Sequence, residues 1–187
     1  GIAKQDLNKH VKTFTKKGFK KDKLDDQLFK KIKYFYDTER NKFKEEFVAG
    51  NFIQSDATKV PSELLDLTDD LRGEIHASLK GPLEEWCKCN LNPTFVYGIR
   101  DYKEGAVLIP HRDRENTHII SAIINIAKDL DKDWPLVIED HFYRKHEVFL
   151  EHGEIIFYES ARLLHGRPYP LQGRGFANIF CHFTPVY

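Results

Sequence analysis

The chain has 187 residues, 41% apolar, 13% aromatic and 31% charged, with 29 basic and 29 acidic side chains. That length suits one domain, residues 1–187, with a real buried core. Zero formal net charge gives no partner by bulk electrostatics, and no apolar run approaches a membrane span.

Charge is nevertheless uneven. Residues 1–50 hold 14 basic against 8 acidic side chains, a local +6 that the remainder balances at −6. Lysine dominates that segment, and no contiguous basic run carries interleaved stacking aromatics. It reads as the solvated face of amphipathic helices, and no nucleic-acid partner is expected. The chain begins at Gly1 and contains no methionine. It therefore resembles a processed or trimmed chain, leaves room for a removed leader or anchor, and leaves the compartment unknown.

Residues 1–90 are expected to be mainly helical support. Leu24, Leu28, Ile32 and Phe35 recur at helical spacing between lysines. Gly50-Asn51 signals a break. A second helix is expected to start near Pro61-Ser62, with Leu64, Leu67, Leu71, Ile75 and Leu79 as its stripe. Gly81-Pro82 is expected to interrupt it, and Pro82 to open a short helix carrying Leu83 and Trp86. Cys87, Cys89 and Cys181 are odd in number and poorly spaced for a disulfide framework or zinc site, so they read as ordinary reduced cysteines.

After Asn90 the texture changes. "TFVYGIRDY", "THIISAIINIA", "WPLVIED", "HEVFL", "GEIIFYES" and "GFANIFCHF" are short β-branched or aromatic runs separated by turn residues. Helices followed by strands predict an α+β fold, with helices packed on one face of a sandwich or barrel spanning residues 91–187.

The chemistry centres on His111 and Asp113. Residues two apart in a strand share a face, so this pair could grip one metal ion from one side. Alone, H-x-D is weak. Of the nine histidines, His165, after the strand-like "GEIIFYES", is the best candidate for a third ligand. Two histidines and one carboxylate, with adjacent positions open, form the facial triad of non-haem Fe(II) oxygenases. Arg174, in "QGRGFANIF", either sits at a surface turn after Gly173 or turns its guanidinium into the barrel, where a buried cation requires an anion. The carboxylate of 2-oxoglutarate would meet that need.

"YKEGAVLIPHRD", "GEIIFYES" and "HGRPYPLQGR" together resemble the prolyl 4-hydroxylase-like branch of the 2-oxoglutarate/Fe(II) dioxygenases. The matching residues are Tyr102, Gly105, Pro110, His111, Asp113, Gly153, Glu154, His165, Gly166, Gly173 and Arg174. The resemblance covers the β-rich part of the chain best. It implies a double-stranded β-helix, or jelly roll, with helices buttressing one sheet. It makes His111, Asp113 and His165 the iron ligands and catalytic centre. It assigns Arg174 to the far carboxylate of 2-oxoglutarate, with Tyr102 donating a hydrogen bond to it. The implied activity is hydroxylation of a C–H bond, of a prolyl or other amino-acid side chain, with O₂ consumed and succinate and CO₂ released. Ascorbate would be an auxiliary reductant.

The chain departs from that pattern where peptide hydroxylases often have a tyrosine (here Leu108), a last-strand tryptophan (here Phe180) and an arginine (here His118). These positions lie toward the prime substrate, so the resemblance speaks more to iron and cosubstrate than to proline. Asp113 argues against the halogenase variant. Asn125 is expected to be satisfied by a neighbour, Arg167 to sit at a turn, and Arg112 and Arg114 to face away from the site. His141, His146, His152 and His182 are expected to be structural or solvent-facing, with the pocket mouth a second position for His141. Two other functions fit the same residues: a non-catalytic jelly-roll binding domain working through its basic N-terminal helices, and a zinc hydrolase.

Overall fold

The computed structural model describes residues 11–187. Strand β1 (Phe19–Lys23) leads into helix α1 (Asp26–Thr38), followed by β2 (Lys44–Glu45), β3 (Ile53–Ser55) and β4 (Ser62–Leu65). Helix α2 (Asp69–Cys87) precedes β5 (Leu91–Tyr102), β6 (Ala106–His111), β7 (Ile120–Leu130) and β8 (Leu136–Glu139). The chain ends with β9 (Lys145–Val148), β10 (Glu154–Tyr158), β11 (His165–Arg167) and β12 (Gly173–Pro185). One sheet runs β1-β10-β7-β12-β5-β4-β2 and the other β3-β6-β11-β8-β9. Their strands pair antiparallel, and the two sheets form a jelly roll in an α+β architecture.

The helices pack on the outer face of the larger sheet. Asp25 caps α1 by accepting from the Leu28 amide at 3.0 Å, and Leu28, Ile32 and Tyr36 form its buried face. Tyr36 takes the place expected of Phe35, because a spacing of four follows the face more closely here. Thr68 caps α2 by accepting from the Leu71 amide at 3.1 Å. Leu71, Ile75, Leu79, Leu83 and Cys87 then meet Ile99, Ile120, Ile124, Ile155, Ile179 and Phe183 of the sheet.

Three expectations are corrected. The segment expected to start the second helix is strand β4, paired with β5 through Ser62↔Tyr102 to Leu65↔Ile99. The proper helix signal is Thr68-Asp69-Asp70, whose side chains suit an N-cap and first turn. Pro82 does not interrupt α2 but lies within it. Gly81 and Pro82 are exposed, and Ser78, whose carbonyl Pro82 cannot pair, is half-buried at the helix surface. A mid-helix proline costs about 3 kcal/mol. Leu79 and Leu83, 3% and 0% exposed, return roughly 1.5–3 kcal/mol each on either side of it. Finally, the first 90 residues are less helical than expected, since β1 and β3 place that part of the chain in both sheets.

The second core lies between the sheets. Tyr102, Ile123, Trp134, Leu136, Ile156, Tyr158, Phe176 and Phe180 fill it. Strand alternation sorts β12 cleanly: Ile179, Cys181 and Phe183 join the helix-side core, and Phe180 the inner one. The inner layer is incomplete at one end, and that opening is the site.

Candidate metal and cosubstrate site

A cavity of about 500 Å³ opens between the sheets, lined by His111, Asp113 and His165 among others. His111 ends β6, His165 begins β11, and the two are register partners in the antiparallel pair. Gly166 makes that approach possible: a Cβ there would lie 2.7 Å from Pro110 Cα and 2.8 Å from the Leu108 carbonyl. Asp113 lies just beyond β6, where its amide donates to the Ser160 carbonyl at 2.9 Å.

One ligand atom from each of these three residues lies within 4.8 Å of the others, a set that could hold a metal ion. Asp113 Oδ1 is 3.1 Å from His111 Nε2 and 3.3 Å from His165 Nε2. The other ring nitrogens are fixed. His111 Nδ1 bonds the Ile109 carbonyl at 2.7 Å, and His165 Nδ1 bonds the Leu163 carbonyl at 2.8 Å. A carbonyl only accepts, so each Nδ1 carries a proton, and each Nε2 points inward at Asp113 as the ring atom a metal ion would take. Burial would raise the Asp113 carboxyl, but His165 and His111 hold it well below the usual carboxylate range. Burial opposes protonation of His111, and the Asp113 carboxylate outweighs it and raises that histidine. The site thus presents a committed carboxylate between two imidazoles. The cysteines are not part of this group.

Arg174 is not in the cavity. It is exposed and pairs with Asp129 at 2.9 Å and Asp131 at 2.7 Å. The register of β12 against β7 shifts between Gly173 and Gly175, and Gly173 has φ of +150°. This bulge turns the Arg174 side chain outward, where simple alternation from Phe176 would turn it in.

Arg167 stands in the cavity instead, 1% exposed rather than at an open turn. Its Nη1 donates to the Trp134 carbonyl at 3.0 Å, and its guanidinium lies over the rings of Trp134 and Phe176. With the Asn178 amide oriented oxygen-inward, Nη2 donates to it at 3.2 Å. No carboxylate among the described residues forms an ion pair with Arg167, and burial pushes it down to about 10, still charged at neutral pH. Arg100, also at the cavity, differs: Glu46 neutralises it through contacts of 2.7 and 3.0 Å. Tyr102 is fully buried beside Arg100 and is not among the residues lining the cavity, and its hydroxyl forms no hydrogen bond of good geometry among the described residues. A buried cation without a counter-ion and a buried phenol without a hydrogen-bond partner are both costly, and a bound anion in the cavity would offset the cost at Arg167.

Leu108, Phe180 and His118, the three departures from the peptide-hydroxylase pattern, all line the cavity. So do Arg112 and Arg114, which were expected to face away; the chain leaves β6 after His111, and strand alternation stops applying there. Asn125 is buried, and its amide meets that of Asn178 at 3.0 Å. His141 bonds Glu159 at 2.7 Å and is not at the mouth. His146 bonds Asp140 at 2.9 Å, and His152 stacks on Phe29. His182 was the significant omission, being both buried and part of the cavity wall. Its signal was present in "ANIFCHF", where it shares strand parity with Asn178 and Phe180. The aromatic segment 47–52 also reaches the cavity through Phe47 and Phe52, and nothing in its sequence announces that role.

No protein-family model and no curated protein matches the sequence. Solved structures do match. A Pseudomonas putida prolyl-4-hydroxylase is similar over 99% of this chain and 98% of its own, with TM-score 0.67 and 12% identity. HygX from Streptomyces hygroscopicus, with nickel, 2-oxoglutarate and hygromycin B bound, is similar over 91% of this chain and 84% of its own, with TM-score 0.64 and 10% identity. A prolyl hydroxylase from Trichoplax adhaerens, in complex with a hypoxia inducible factor oxygen degradation domain peptide fragment, is similar over 97% of this chain and 91% of its own, with TM-score 0.60 and 12% identity. In fold, the chain agrees with the prolyl hydroxylases and other 2-oxoglutarate- and iron-dependent oxygenases.

Proposed function

We propose that the protein is a 2-oxoglutarate- and Fe(II)-dependent dioxygenase that hydroxylates a C–H bond and releases succinate and CO₂. One observation carries this reading: a two-histidine, one-aspartate cluster shares a cavity with a buried arginine that has no acid partner among the described residues. His111, Asp113 and His165 would hold the metal through two Nε2 lone pairs and one carboxylate. When bound, Fe(II) and 2-oxoglutarate supply the O₂ activation that protein side chains cannot.

The rest falls to the chain's own residues. Arg167 binds the far carboxylate of 2-oxoglutarate, and the Tyr102 hydroxyl donates to the same group. Arg167 thereby takes the task that the motif spacing gave to Arg174. Trp134 and Phe176 pack on the Arg167 guanidinium and Tyr158 lines the cavity beside it, apolar surroundings that strengthen an arginine–carboxylate contact. A zinc hydrolase would leave Arg167 and Tyr102 without a task. The neighbours' ligands include a peptide fragment and hygromycin B, and the motif resemblance favours a prolyl or other amino-acid side chain as substrate.

The test is anaerobic addition of 2-oxoglutarate to the Fe(II)-loaded protein, followed by admission of O₂ and measurement of succinate. A metal-to-ligand charge-transfer band and slow succinate release, with ascorbate sustaining turnover, are the expected results. Neither band nor succinate, with the metal shown to be bound, would remove the oxygenase reading.

A further inference from the structure

A second polar group lines the same cavity and has no task in holding metal or 2-oxoglutarate. His182 stacks on His118 with ring centroids 3.8 Å apart, and the Tyr97 ring meets it edge-on at 5.7 Å. Behind it runs a short chain of buried hydroxyls. Ser160 Oγ donates to the His118 carbonyl at 2.9 Å, Ser121 Oγ meets Ser160 Oγ, and Ser121 Oγ meets His182 Nδ1 at 2.6 Å.

Those contacts fix the tautomer of His182 by counting protons. Three contacts need three protons. The carbonyl supplies none and the two hydroxyls supply one each, so the third sits on His182 Nδ1. Nε2 is therefore an acceptor. It has no partner among the described residues, yet it is not among the buried unsatisfied atoms, so it keeps contact with the open cavity. Burial pushes the imidazole down to about 3, so the ring is neutral when the enzyme works. Stacking and the serine chain hold the ring in place before any ligand arrives, which is the condition for selective recognition by one hydrogen bond.

We infer that His182 is a specificity residue, whose Nε2 accepts a hydrogen bond from an N–H or O–H group of the molecule oxidised at this site. The substrate class is then an amide, amine or alcohol, seated against the faces of His118 and Tyr97. This rests on the oxygenase reading.

Nitrogen-15 NMR of the Zn(II)- and 2-oxoglutarate-loaded protein tests it, with the His182 signals assigned by their loss in His182→Gln. The probes are benzamide and benzyl alcohol, with N,N-dimethylbenzamide and benzyl methyl ether as partners that lack the donor. The expected result is a protonated Nδ1, and an Nε2 signal displaced by the two donors but not by their methylated partners. Ser121→Ala should move the Nδ1 signal, since it removes the acceptor that fixes the tautomer. A proton on Nε2, no displacement by either donor up to its solubility limit, or equal displacement by the methylated partners would each overturn the inference. Calorimetry of 2-oxoglutarate binding on the same sample keeps the two claims apart: absent binding sinks the oxygenase reading while the Nε2 result stands by itself.

Discussion

Replacing Arg167 by methionine sets two effects against each other, and both can be measured. In the protein without 2-oxoglutarate, the substitution removes a fully buried charge that no acid among the described residues neutralises. It also removes hydrogen bonds to the Trp134 carbonyl and to Asn178. Leaving those two groups unpaired costs about 1–3 kcal/mol each. Relief from burying an unpaired ion is worth several kcal/mol, and methionine keeps most of the packing against Trp134 and Phe176. The two terms nearly cancel, so stability without ligand should stay within about 2 kcal/mol of the original. Binding has no such cancellation. Charge-assisted hydrogen bonds contribute roughly 1.5–3 kcal/mol each, and a two-pronged contact is lost, so 2-oxoglutarate affinity should fall by about 100-fold or more. Calorimetry with Mn(II)-loaded protein reads the affinity, and denaturant unfolding of the metal-free protein reads the stability. Arg174→Ala is the paired control: its partners Asp129 and Asp131 are exposed, and affinity should change by less than about threefold. Retained affinity in Arg167→Met, or its loss in Arg174→Ala, would refute the assignment of the cosubstrate anchor.

Three further outcomes follow from the geometry. His165→Ala should weaken metal binding by more than the ~10–100-fold typical of outer-shell partners, measured by competition with a chelator; unchanged affinity would dissolve the triad. Gly166→Ala should push β11 away from β6, because the new Cβ meets Pro110 and Leu108 backbone at 2.7–2.8 Å; a loss of about 1–3 kcal/mol and weaker metal binding are expected, and a crystal structure with unmoved histidines would contradict it. Asp140 accepts from the amides of Phe142 and Arg144 and from His146 at 2.7–3.0 Å. Burial opposes its ionisation, but these donors hold its carboxyl down to about 2. A carboxyl depressed on folding stabilises above its unfolded value of about 3.9 and loses that effect as pH falls through about 2. Asp140→Asn should therefore destabilise the protein at pH 6 and flatten its acid unfolding between pH 4 and 2, as followed by circular dichroism (about 3.9 being the unfolded reference); an unchanged acid limb would show that another carboxyl dominates.

Local rules served where a residue's neighbours in sequence are its neighbours in space. The buried stripes of α1, through Leu28 and Ile32, and of α2, through Leu71, Ile75 and Leu79, are of this kind. The failures have identifiable competitors. Pro61-Ser62 carries a helix-start signal, but β5 offers that segment a line of backbone partners, and Thr68 offers the helix a better cap. Pro82 carries a stop signal that the leucines on either side of it outweigh.

The motif spacing and the family resemblance together pointed to two histidines and an aspartate, and the antiparallel register that sets His111 opposite His165 is what brings them together. Spacing and resemblance did not determine which arginine would face them. In a strand, the direction of a side chain is set by parity counted from the nearest irregularity, and one extra residue reverses it. The bulge between Gly173 and Gly175 sends Arg174 to Asp129 and Asp131, while Arg167 enters the cavity beside Trp134. The tautomer of His182 is equally a tertiary fact, since it depends on Ser121 and Ser160, hydroxyls that only the folded sheet brings within reach.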